Sequence, residues 1–311
     1  MIISASRRTD IPACYAGWFI NRLRAGYVLV RNPMNPRRIS KIALTPDVVD
    51  GLVLWTKNPL PLIPYLNELS AYPYYFQFTL TGYGRDIEPG LPDKKRVLLP
   101  AFKHLAERTC KKRVIWRYDP IFFSNKYTPE YHLSCFEKMA AEFENYTERC
   151  IISFMDSYCN TRRNEKQLAA VNVGDEALHS LAAQLFKIAA RHGIKLQTCA
   201  ESMDFADIGI TQSACIDKAL LEEIGGFKLN VKKDANQRAE CCCAESIDIG
   251  AYNTCPNGCL YCYANYNAAM VAKNYASHNP DGGMLFGRLM PGDIVTERKV
   301  KSCKITEQNL F

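Results

Sequence analysis

One pattern recurs along this chain and limits what it can become: a short apolar run, a polar tip, then an amphipathic stretch of helical length. The apolar start leads into Ser6-Arg7-Arg8-Thr9, and Asp10 is placed to cap a helix that begins near Pro12 and runs through Trp18 and Leu23 to Gly26. Residues 52–55 lead into Thr56-Lys57-Asn58-Pro59 and a helix over 60–69. Residues 74–80 lead into Thr81-Gly82-Tyr83-Gly84 and a helix over 94–109. Residues 113–116 lead into Arg117-Tyr118-Asp119-Pro120 and a helix started by Thr128-Pro129-Glu130. Residues 150–154 lead into Met155-Asp156-Ser157-Tyr158 and a helix over 175–191 that Gly193 stops. Residues 193–198 lead into Cys199-Ala200-Glu201 and a shorter helix over 215–224.

Repeated βα units whose strands read as buried on both faces predict a parallel sheet. The number of units predicts a TIM-type (β/α) barrel, complete or partial. No glycine-rich loop of the dinucleotide-binding kind follows any strand, which argues against a doubly wound sheet. The runs at 227–231 and 246–252 are candidates for a seventh and an eighth strand, and 27–30 with 39–44 for an inserted hairpin. The expected organisation is a barrel over 1–240, a cysteine-rich unit over 241–277 that completes it, and a cover or tail over 278–311.

Composition narrows the class. The 311 residues are 48% hydrophobic, enough for a sizeable core. The formal net charge of +7 admits a nucleic-acid partner without pointing to one. The N-terminal apolar run is too short for a signal peptide, and no stretch is long and uncharged enough to span a membrane. A cytoplasmic location is therefore expected. There the 14 cysteines stay reduced and serve as metal ligands or core residues rather than disulfides.

Three of them stand close together, in Cys255-Pro256-Asn257-Gly258-Cys259-Leu260-Tyr261-Cys262. The Pro-Asn-Gly segment makes a tight loop that can turn three sulfurs toward one point. Iron–sulfur clusters and zinc are the leading occupants of such a site. A four-iron cluster held by three cysteines keeps one iron open to another ligand.

C-x-x-x-C-x-Y-C resembles the cluster motif of the radical S-adenosylmethionine (SAM) enzymes, and Tyr263-Ala264-Asn265 after it adds to the likeness. The chain over nearly its full length resembles the bacterial family known as domain of unknown function 1848. Radical SAM enzymes carry the motif after their first barrel strand, whereas here it comes late. The implied architecture is thus a permuted barrel whose cluster unit, with a helix over 263–276, is last. The resemblance implies Cys255, Cys259 and Cys262 on a [4Fe-4S] cluster, SAM on the open iron beside Tyr261, and a reductant such as flavodoxin or ferredoxin. The Thr56-Lys57 pair is similar to spore photoproduct lyase-like proteins, where such a lysine helps to hold SAM. The substrate does not follow from either likeness.

Strand ends emerge on one barrel face, so other polar groups are expected there. Arg117 and Asp119 point to the same side of one strand, to bind a ribose or carboxylate or to pair with each other. Gln77, Thr79, Ser153 and Gln197 share that parity. Arg7, Arg8 and Asp10 follow the first strand, where they can meet an anion, with Asp10 also explained as a cap. Cys241 and Cys243 flank Cys242 in Cys241-Cys242-Cys243, twelve residues before Cys255. With Cys199 and Cys215 they form a candidate second site for an all-cysteine cluster or for zinc. Cys14, Cys110, Cys135, Cys150, Cys159 and Cys303 read as structural. The five histidines show no ligand spacing, and no G-x-S-x-G elbow is present, so a histidine metallohydrolase and a serine hydrolase are not expected. The competing function is a non-catalytic metal module that binds nucleic acid or protein.

Overall fold

The computed structural model describes residues 1–155 and 164–305. In chain order the elements are β1 (Ile2–Ala5), α1 (Ile11–Cys14), α2 (Ala16–Ala25), β2 (Tyr27–Arg31), β3 (Arg38–Ala43), β4 (Gly51–Thr56), β5 (Tyr74–Thr79), α3 (Leu99–Thr109), β6 (Val114–Ile121), α4 (Pro129–Phe143), β7 (Arg149–Phe154), α5 (Glu165–Leu168), α6 (Asp175–Arg191), β8 (Lys195–Thr198), β9 (Thr211–Gln212), α7 (Lys218–Gly225), β10 (Ile247–Asp248), α8 (Ala268–Ala276) and β11 (Ile294–Glu297).

Eight strands form one parallel sheet in the order β10-β1-β4-β5-β6-β7-β8-β9. No pairing joins β10 to β9 among the described residues, so the sheet keeps two edges rather than closing. The hairpin expected over 27–44 is present as antiparallel β2 and β3. Within the tail, β11 pairs with β3 in parallel.

The period of two along each strand divides the core. Ala5, Leu54, Phe76, Trp116 and Ile152 face the helix layer and pack with Phe19, Phe102, Phe136, Phe143 and Leu185. Ile2, Val53, Tyr75, Ile115 and Ile151 face the opposite way. Leu220 and Leu221 of α7, Leu229, Cys215, Cys241 and Cys243 cover that second face.

This cover explains one miss. Phe227, Leu229 and Val231 are apolar because they pack onto the sheet, and Leu229 makes only an isolated bridge to Lys304. The strand next to β8 is the exposed pair Thr211–Gln212, too short and polar to show a period. The eighth strand holds two residues, Ile247–Asp248. The helix expected over 60–69 is a 3-10 turn at Ile63–Leu69. That over 94–109 opens with a π turn at Lys94–Leu98, and that over 263–276 starts only at Ala268, where Asn267 caps it. Among the described residues no helix is long and apolar enough to cross a membrane.

Candidate functional site

The cysteine loop lies over the C-terminal ends of β1, β4 and β5. The amide of Leu260 donates to the carbonyl of Ile87 at 3.0 Å, and that of Gly90 to the carbonyl of Asn257 at 3.0 Å. Tyr15 Oη donates to the carbonyl of Thr254 at 2.5 Å, and Tyr263 Oη to that of Arg7 at 2.8 Å. Gly258 turns the loop at φ +66°. Cys259 is buried, and Cys255 and Cys262 are half-buried. Burial raises Cys259 against the pull of Lys57, and Glu88, Cys262 and Cys255 raise it further. Asn257 Nδ2 is buried in the loop without a partner among the described residues.

Gly90 sets how closely the loop can lie. A Cβ there would stand 2.7 Å from the carbonyl oxygen and 2.8 Å from Cα of Asn257, backbone that cannot rotate away. Gly90→Ala is expected to cost roughly 1–3 kcal/mol through overpacking and to shift the loop. Denaturant unfolding checks the first effect, and faster alkylation of Cys255 and Cys262 the second.

Behind the loop sits Glu88, buried with its side chain 1% exposed. Its carboxylate accepts from Lys57 Nζ at 2.8 Å, from Lys94 Nζ, from Tyr261 Oη and from Thr81 Oγ1 at 3.1 Å. Burial pushes Glu88 up, but the Lys57 and Lys94 ammoniums win and hold it at about 2. Burial lowers Lys57, yet Glu88 and then Cys259 lift it above the usual lysine value. Lys94, on the same carboxylate, ends below its usual value, because burial and the Lys57 charge outweigh its share of Glu88. Lys57 Nζ also donates to Tyr261 Oη at 2.6 Å. The predicted Lys57 thus meets the motif tyrosine, but its ammonium is already paired. Its backbone amide donates to Asp10 Oδ2 at 2.7 Å, while Asp10 Oδ1 caps α1 from Ala13 N at 3.0 Å. A cavity of about 270 Å³ opens beside Glu88, lined by Tyr83, Arg85, Leu91 and Lys94.

The second face carries the other predicted group. Arg117, 4% exposed, pairs with Asp119 through both Nε and Nη2, so the two residues bind each other. Ser153 Oγ donates to the other oxygen of Asp119. Arg117 Nη1 lies 3.4 Å from Gln77 Oε1 and 3.0 Å from Cys215 Sγ, and Gln77 Nε2 donates to the carbonyl of Cys215 at 2.9 Å. Gln197 bonds Thr211 instead, at 3.2 Å. Cys199 Sγ is 2.7 Å from Cys215 Sγ, and Cys243 lies close enough to Cys215 and Cys241 to be influenced by both. All four cysteines named for a second site therefore meet. Among the described residues, though, no three His, Cys, Asp or Glu side chains are grouped so as to hold a single ion.

Arg8 stacks over Tyr252 at 5.0 Å, and Arg7 over Trp55 at 5.7 Å with Asp234 3.8 Å away. Sequence reasoning missed Glu88, Lys94 and Cys14. Glu88 lies in a loop without periodicity and Lys94 at the first residue of the following helical turn, and charge alone marks them. Cys14, read as structural, hydrogen-bonds Cys255, which pushes Cys14 up and Cys255 down. Cys159 lies outside the described residues. His132 is buried between Tyr118 Oη at 2.9 Å and the carbonyl of Phe122.

This chain matches the model of the family described as "Domain of unknown function (DUF1848)" over residues 2–264. It belongs to that family. The matched span includes Cys255, Cys259, Cys262 and the four cysteines of the second face. No curated protein matches it. Among solved structures it is similar to one described as a "putative alpha-L-fucosidase" from Bacteroides thetaiotaomicron. The identity is 11%, the coverage 73% of this chain and 81% of that one, and the TM-score 0.28. A likeness that slight carries no argument about DUF1848 chemistry.

Proposed function

We propose that this DUF1848 protein is an iron–sulfur enzyme of the radical SAM type, built on a partial, permuted (β/α) barrel. The observation that carries the reading is the position of Cys255, Cys259 and Cys262, spaced C-x-x-x-C-x-x-C, over the ends of β1, β4 and β5. The donor set fits the group. Three thiolates are the ligand set such a cluster takes, and Asn257 Nδ2 is a buried donor with no partner among the described residues. When bound, the cluster would supply the electron that cleaves SAM to a carbon radical.

The chain's own part is to place and shield. Cys259 sits in the buried wall of the loop, where water is excluded. Lys57 and Glu88 clamp Tyr261 through its hydroxyl, and so fix the strand-end side of the loop. We read Lys57 as a positioning residue first, since binding a SAM carboxylate would require it to leave Tyr261. Gln77, Arg117, Asp119 and Ser153 form a polar floor on the second face, a candidate binding surface for the rest of SAM or for substrate.

The test is anaerobic reconstitution with iron and sulfide, then incubation with SAM and dithionite. Release of 5′-deoxyadenosine is expected from the wild type, and none above background from Cys259→Ser. Zinc in place of iron, or an iron protein that leaves SAM intact, would reject the enzyme reading in favour of a binding module.

A further inference from the structure

We infer that Cys199, Cys215, Cys241 and Cys243 hold a second soft-metal centre, separate from the cysteine loop. Four thiolates are the ligand set shared by zinc and by a fully ligated iron–sulfur cluster. The four residues come from the end of β8, the approach to α7 and the 241–243 segment, and tertiary structure brings them together. Cys215, Cys241 and Cys243 are 4, 6 and 1% exposed. The amide of Ile216 lies 3.4 Å from Cys243 Sγ.

Cysteines kept only as small core residues have apolar surroundings, as Cys150 does among Trp116, Tyr118 and Leu196. The four here share an apolar cluster but also have charged neighbours. Arg117 aims Nη1 at Cys215 Sγ from 3.0 Å, and the Arg7 charge is felt by both Cys243 and Cys215. Both guanidiniums lie over Trp55, at 5.7 and 5.2 Å. Arg7 Nη2 and Trp55 Nε1 are buried N–H donors without a partner among the described residues. A buried donor left unpaired costs free energy that a sulfur acceptor removes. An anionic group of thiolates around a metal would use all of these groups. It would also account for why two arginines are buried against thiols. Among the described residues no three such side chains are grouped so as to hold a single ion, so loading requires the thiols to move.

The inference does not rest on the function proposed above, and the experiment separates them. The variant C255S/C259S/C262S is purified anaerobically, offered zinc or iron with sulfide, and assayed for metal and acid-labile sulfide per chain. It is expected to keep one zinc, or iron with matching sulfide, and to lose it when C215S/C243S is added. Zinc and iron–sulfide both support the site and say which occupant it takes. No metal above the five-serine variant overturns it. A second measurement covers poor folding of the variants. In the metal-loaded wild type, a chelator is expected to speed alkylation of Cys199, Cys215, Cys241 and Cys243 at least tenfold, read by peptide mass. Equal rates with and without chelator, in a protein whose circular dichroism is unchanged, also overturn it. Loss of the loop metal alone would leave this second result intact.

Discussion

Glu88→Gln is expected to lower the stability of the folded chain by roughly 3–5 kcal/mol, the cost of removing one member of a buried ion pair and stranding the others. Two ammoniums, Lys57 and Lys94, converge on this carboxylate with side chains only 15 and 19% exposed. The glutamine keeps the shape but not the charge, and among the described residues neither lysine has a second carboxylate bonded to it. Denaturant unfolding measures the loss, and a change below about 1 kcal/mol would show that water reaches the pair and screens it. The same carboxylate sets an acid limit. Glu88 is held at about 2, below its ordinary value, so its contribution is complete above the unfolded value. It is lost as pH falls from there through about 2. The wild type should therefore lose stability over that window more steeply than Glu88→Gln, whose profile lacks this titration.

The second large effect is expected at Asp119→Ala, again roughly 3–5 kcal/mol, because Arg117 is left charged and buried on the second face of the sheet. Gln77 Oε1 at 3.4 Å is a neutral and distant substitute. The double variant R117M/D119A removes the stranded charge and should be more stable than Asp119→Ala alone. Equal stability of the two would mean that Arg117 never depended on Asp119. If thiolates of the neighbouring cysteines surround a metal, their negative charge gives Arg117 a second counter-charge. The loss at Asp119→Ala should then be smaller in metal-loaded than in metal-stripped protein.

Both predictions concern residues of unequal legibility. Arg117 and Asp119 were readable because one strand alternates its side chains, which places both on the same face as Gln77 and Ser153. Lys57 was readable as the polar end of an apolar strand. Glu88 was not, since the 81–93 loop has no period and its carboxylate acquires meaning only where Lys57, Lys94 and Tyr261 reach it. The same holds for Cys14, which looks like a helix residue until the loop brings Cys255 against it.

By itself the sequence determined the parallel sheet, because strands buried on both faces must be apolar throughout and the turns between them polar. It also determined which thiols are neighbours along the chain, from Cys255 to Cys262. Only the tertiary structure decided that α7 and the segment around Cys241 cover the second face, that β9 and β10 stay short edges, and that Cys199, Cys215, Cys241 and Cys243 meet. The physical reason is range. Periodicity and turn chemistry act over a few residues, whereas these contacts join distant segments through burial of apolar surface, which carries no direction along the chain.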